Sequence, residues 1–173
     1  MTQPIITLRQ PVLDQLRELA RQQCNLTVAS HKTAMKHDYL RINTLGHFGM
    51  QAVADYYCVD NPARVMRREE FAEDVDVYGV QVRSTTHARG HLLTHKHDKY
   101  APYVLVTVER VNYDLVRCTL RGWAWLGECN LPRHWRTIGP DGKLLPVPCY
   151  MTPQSVLHPI DTLPTPQSLK GQT

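Results

Sequence analysis

The sequence predicts an α/β protein, more narrowly α+β, in which a mostly antiparallel or mixed central sheet is flanked by helices. Three observations carry this expectation. Apolar residues recur at spacings of three and four over 11–23 and again from about Gly46 to Cys58. Between Val75 and Arg83 the period changes to two, with Val75, Val77, Val80 and Val82 alternating with Asp74, Asp76, Gln81 and Arg83 about a Tyr78-Gly79 turn. Two runs rich in aromatic and β-branched residues then follow, Tyr103–Glu109 and Tyr113–Trp125. A chain of 173 residues suits one domain with a real core, and 42% hydrophobic against 21% charged residues argues against wholesale disorder.

The N-terminal helix follows from Val12, Leu13, Leu16, Leu19 and Ala20, with Pro11 at a position that a first turn tolerates. Residues 25–42 mix Lys32, Lys36, His37 and Arg41 with small polar residues and read as a loop leading into a helix with a basic rim. Phe48, Ala52, Val53, Tyr56 and Tyr57 give the second helix its apolar face, and Asn61-Pro62 stops it. On that helix Gln51 and Asp55, four residues apart, share one side. Residues 63–73 are expected to form a short helix or irregular connection. The Tyr78-Gly79 hairpin comes next, then strands at about Leu92–Lys96 and through the two aromatic runs. Eight of the twelve prolines lie between Pro132 and Pro166, so the last quarter should be loop-rich, with a short turn of helix after Thr152-Pro153 and a flexible tail over 159–173. Residues 1–158 then form a single domain with its core at 45–125.

A net charge of +4 favours a polyanionic partner only if the basic residues gather on one face. The five cysteines are odd in number and contain no CxxC pair, which suits neither a disulfide framework nor a zinc ribbon and points to a reducing, cytoplasmic setting. No run approaches the roughly 20 apolar residues of a membrane span, and no apolar leader opens the chain, so a membrane role is not expected. Walker-type phosphate loops, HExxH and GxSxG are absent, which removes support for nucleotide-driven motors, zincins and α/β-hydrolases.

Chemistry is concentrated at the hairpin. Hydrolysing a phosphodiester takes a hard divalent cation gripped by two or three oxygens beside a cationic group. Strand alternation projects Asp76 from one side of the turn, and Gln81 and Arg83 from the other, onto a common face.

The order of helix residue, strand Asp, then Gln81-Val82-Arg83 resembles the PD-(D/E)XK nuclease superfamily. The runs DVYGVQVRSTTHARGHLLTHKHDKYAPYVLVT, LRGWAWLGE and CYMTPQSVL look like a group of small phage-associated proteins placed in it, over about residues 45–158. The resemblance implies a restriction-endonuclease-like core and an endonuclease acting on DNA, in phage DNA processing or junction resolution, within the host cytoplasm if the chain is phage-encoded. It makes Asp76 the principal ligand of Mg²⁺ or Mn²⁺, Gln81 the second, Gln51 the helix contribution and Arg83 the stand-in for the catalytic lysine. Gln51 and Gln81 depart from the acidic pattern and leave the site about two negative charges short, which weakens metal binding. A guanidinium stays protonated, so Arg83 can clamp phosphate but cannot act as a general base. These departures keep open a non-catalytic DNA-binding module on the same fold, a phage protein-interaction factor, and a homodimer. Glu73, Asp74 and Asp55 are further carboxylates near the set.

Arg64, Arg67, Arg68, His87, Arg89, His91, Lys96 and Lys99 flank the hairpin and are the expected phosphate contacts. His87, His91, His95 and His97 also raise a zinc site, but in a loop-then-strand segment their spacing does not converge on one point. Trp123, Trp125 and Trp135, with Tyr100 and Tyr103, read as sheet packing before they read as a base-stacking platform.

Overall fold

A computed structural model describes residues 3–30, 36–60, 76–77 and 79–164. The chain is α+β. β1 (Ile5–Arg9) leads into α1 (Val12–Ser30) and α2 (Lys36–Tyr57), followed by β2 (Gln81–Thr85), β3 (Leu92–Thr94), β4 (Pro102–Arg110) and β5 (Leu115–Trp125). After the four-residue helix α3 (Leu126–Cys129) come β6 (Trp135–Ile138) and β7 (Leu144–Thr152). A four-stranded sheet has the order β1-β5-β4-β2, and a three-stranded antiparallel sheet has the order β3-β7-β6.

Both helices bury one stripe. α1 buries Leu13, Leu16, Ala20 and Cys24, the three- and four-residue spacing seen in the sequence, while α2 buries Phe48, Ala52, Val53 and Ala54. They pack on one face of the larger sheet against Val82, Val104, Val106, Val108, Val116, Cys118 and Leu120. Burying each such side chain is worth about 1.5–3 kcal/mol for the larger ones, so this helix-on-sheet layer is the main source of stability. Gly49 lets α2 seat closely on β2: a Cβ there would overlap Ser84 Oγ and press on Val82 Cγ1. The other face of the sheet holds a smaller core of Tyr103, Leu105 and Ala124 with Leu92, Leu126 and Cys129 from β3 and α3.

Several expectations need correction. α1 runs on to Ser30 and α2 begins at Lys36, so most of the segment expected as a loop is helical. β1 was not foreseen; it pairs antiparallel with β5, Ile5 opposite Thr119, and fills an outer position of the sheet. Among the described residues the expected hairpin is marked by one bridge, Val77 to Val80, with Gly79 at φ 78°. Beyond the turn β2 pairs with β4, in parallel, because alignment of Val82 with Val104 and of Ser84 with Val106 buries one row under α2.

The proline-rich quarter is more ordered than its composition suggests. Pro146 and Pro148 sit within β7, and the short turn after Pro153 is a 3₁₀ turn at Gln154–Val156. The start of the expected tail is packed: Ile160 and Leu163 join the main core, and Tyr57 donates to the Ile160 carbonyl at 2.8 Å. Gly122, at φ 139°, is required where this segment returns, since a Cβ would lie 2.6 Å from the His158 carbonyl oxygen.

Candidate nucleic-acid interface

Alternation along β2 decides what faces where. Val82 and Ser84 point at α2, so Gln81 and Arg83 lie on the opposite face, beside Tyr103 and Leu105 of β4. The tight turn brings Asp76 back to the same strand, and its Oδ2 accepts the Val82 N–H at 2.7 Å. Arg83 Nη1 lies 3.4 Å from Gln81 Oε1, its Nη2 lies 3.3 Å from Asp98 Oδ2, and its guanidinium carbon stands 5.0 Å from the centre of the Tyr103 ring. The Tyr103 hydroxyl donates to the Lys99 carbonyl at 3.0 Å. Burial raises the Tyr103 hydroxyl well above the ordinary tyrosine value, with Asp98 and Asp76 pushing it the same way and Arg83 opposing them.

Arg83 thus meets Gln81 on one strand face, and Asp76 reaches the same strand through the Val82 N–H. On α2 the Gln51 amide donates to Asp55 Oδ1 at 2.7 Å. Two residues after Gly49 it is turned by about 200° around the helix, whereas Gly49 faces β2 and Gln81 and Arg83 occupy the far side of that strand. Arg64, Arg67, Arg68, Glu73 and Asp74 lie outside the described residues, as does the side chain of Lys36.

Asp98 and Tyr103 were not singled out as site residues from the sequence. Asp98 is set in the run His95-Lys96-His97-Asp98-Lys99, where it reads as one acid in a solvated basic stretch. Folding the loop back through the His95 N–H, which donates to Asp98 Oδ2 at 2.9 Å, brings that carboxylate to Arg83. Gln154 was recognised only as part of a motif. Its amide donates to the carbonyls of Ala88 and Gly90, both at 2.9 Å, and so pins the loop that carries His87, Arg89 and His91. His87, Arg89, Lys96 and Lys99 are exposed on this loop system and His91 is half-buried.

A hard divalent cation needs several oxygens free to turn toward it. Here Asp76 Oδ2 is committed to the Val82 N–H, Asp98 Oδ2 is shared by the His95 N–H and Arg83, and the Gln81 oxygen faces a guanidinium. Among the described residues no three His, Cys, Asp or Glu side chains group so as to hold a metal. Arg83 is placed to meet an anion, since it is held by an aromatic face and one carboxylate while its side chain keeps 33% exposure. The histidines of the loop do not converge, and Trp123 is buried, its indole donating to the Pro159 carbonyl and Thr162 Oγ1, both at 3.1 Å.

Among the described residues no helix is long and apolar enough to cross a membrane. No family model matches the chain, and neither a search of curated proteins nor one of solved structures finds a match, so the geometry of these residues carries the functional argument alone.

Proposed function

We propose that the protein is a DNA-handling module on a nuclease-like core, in which Arg83 and the exposed cations of the 87–99 loop system grip backbone phosphate. The unit α2–β2–β4–β5 is read as the restriction-endonuclease-like part. The observation that carries the proposal is the placement of Arg83, fixed against Tyr103 and against Asp98 of the cation-bearing loop and partly open to solvent. A guanidinium already oriented loses little freedom on meeting a phosphate, which favours Arg over Lys at such a position.

The reading is tested by fluorescence anisotropy with labelled duplex and single-stranded DNA in the presence of chelator. Binding is expected without metal, with Arg83→Gln lowering affinity about tenfold, in line with the 1.5–3 kcal/mol of a charge-assisted hydrogen bond. Equal affinity for the parent and Arg83→Gln, or no binding at all, overturns it.

Metal-dependent cutting of DNA is the second reading, and Asp76, brought by the turn to the Val82 N–H of the strand that carries Gln81, is the observation that favours it. Magnesium-dependent nicking of supercoiled plasmid by the parent, abolished in Asp76→Ala, would establish it. Intact plasmid across magnesium and manganese concentrations, with binding retained, leaves the binding module.

A further inference from the structure

On the helix-covered face of the sheet, α1, α2 and the β4–β5 connection line an open cleft of about 310 Å³, at the small end of ligand-sized pockets. Three arginines line it, one from each element: Arg17, Arg41 and Arg110. Two of them are set around one ring. Arg17 holds its guanidinium carbon 4.3 Å from the centre of the Tyr113 ring, donates to the Tyr113 carbonyl and pairs with Asp14 at 3.1 Å. Arg110 stands 5.7 Å from the same ring and donates through Nε to the Asn112 carbonyl at 3.4 Å. With Asp14 the described carboxylate paired with this trio, the site keeps a surplus of about two positive charges. Its floor is apolar, formed by Phe48 and Val108.

Three guanidinium groups, two of them held about a tyrosine, above an apolar floor match a ligand with a dianionic head and a flat body. A phosphomonoester meets the charge, and a nucleobase meets the ring and the floor. The volume is of the size of one nucleotide. We propose that this cavity binds a nucleoside 5′-monophosphate, with the phosphate on Arg41 and Arg110 and the base against Tyr113 and Phe48. The site is separate from the proposed DNA grip, because Gln81 and Arg83 lie on the opposite face of the sheet.

Isothermal titration of the whole protein with deoxyadenosine 5′-monophosphate, deoxyadenosine and inorganic phosphate tests this. The monophosphate is expected to bind at least tenfold more tightly than either fragment. Arg41→Gln with Arg110→Gln, both exposed positions, should weaken it at least tenfold, Tyr113→Leu should weaken it while leaving phosphate unchanged, and Arg83→Gln should have no effect. Thermal melts confirm that each variant is folded. The proposal is overturned if the monophosphate does not bind, if phosphate alone binds as well, if the double variant binds like the parent, or if Arg83→Gln is the change that removes binding. That last result would place the ligand at the DNA grip instead.

Discussion

Arg83 and Asp98, fifteen residues apart in sequence, meet at 3.3 Å on the outer face of β2, with side-chain exposures of 33% and 18%. Fully exposed pairs contribute only about 0–1 kcal/mol, but Asp98 also accepts the His95 N–H and so closes the loop that carries the cations. Asp98→Ala should destabilise the fold by about 1–2 kcal/mol through the stranded donors. In a double-mutant cycle with Arg83→Gln, read by urea unfolding, the two effects should be clearly non-additive. Strict additivity would mean that the pair is incidental.

DNA affinity should fall steeply with salt, because the expected contacts are phosphates. Arg89→Ala, Lys96→Ala and Lys99→Ala should each lower the slope of log K against log salt by about one, with little change in preference among sequences. Anisotropy titrations between about 50 and 200 mM salt measure this. An affinity indifferent to salt removes the polyanion argument.

Gln51→Glu separates the two readings of the helix residue. The substitution places a second carboxylate against Asp55, now 2.7 Å from the Gln51 amide, and should cost about 0.5 kcal/mol or less. DNA binding should be unchanged and plasmid should stay intact. Magnesium-dependent nicking that appears with Gln51→Glu and vanishes on adding Asp76→Ala would instead show that Gln51 belongs to a metal site.

The closeness of α2 to β2 gives a packing test. Gly49→Ala forces a methyl group into Ser84 Oγ and Val82, and overpacking of this kind costs about 1–3 kcal/mol. Ser84 Oγ is buried with no hydrogen-bond partner among the described residues, so Ser84→Gly should relieve much of the loss in the double variant. Thermal melts of the two single variants and the double variant decide it.

His47 provides a pH test. Burial lowers its pKa below 6.5, and its Nδ1 has no partner among the described residues. The unfolded chain therefore takes up this proton first, so stability is full above about pH 6.5 and falls as pH drops from there to the folded value, where the loss levels off. His47→Leu should flatten the dependence of Tm on pH between about 7 and 5. An unchanged slope would assign the acid sensitivity to other groups.

What was legible in the sequence, and what was not, has a physical logic. β4 and β5 carry long apolar runs, and the sequence places both close to where they lie; of α2 it places the C-terminal half, whose apolar face is periodic. The face shared by Gln81 and Arg83 follows from alternation alone. The partner of β2 does not, since a turn such as Tyr78-Gly79 signals a hairpin locally, whereas the parallel pairing with β4 is decided by a row of valines that meet only in the folded sheet. Asp98 escaped for a similar reason: its partner lies across a loop, and its neighbours His97 and Lys99 disguise it. β1 was too short and too near the start for periodicity to separate it from the helix that follows.

The C-terminal segment bears on when this protein can fold. The Trp123 indole waits for the Pro159 carbonyl and Thr162 Oγ1, Tyr57 waits for the Ile160 carbonyl, and β1 waits for β5 more than a hundred residues later. During vectorial synthesis the first strand and both helices must therefore leave the ribosome long before the surfaces that cover them exist. High sequence separation of contacts slows folding and prolongs the exposure of apolar faces. A nascent chain halted before Pro159 should be protease-sensitive and prone to chaperone capture. One extended past Leu163 and clear of the exit tunnel should acquire resistance in a single late step.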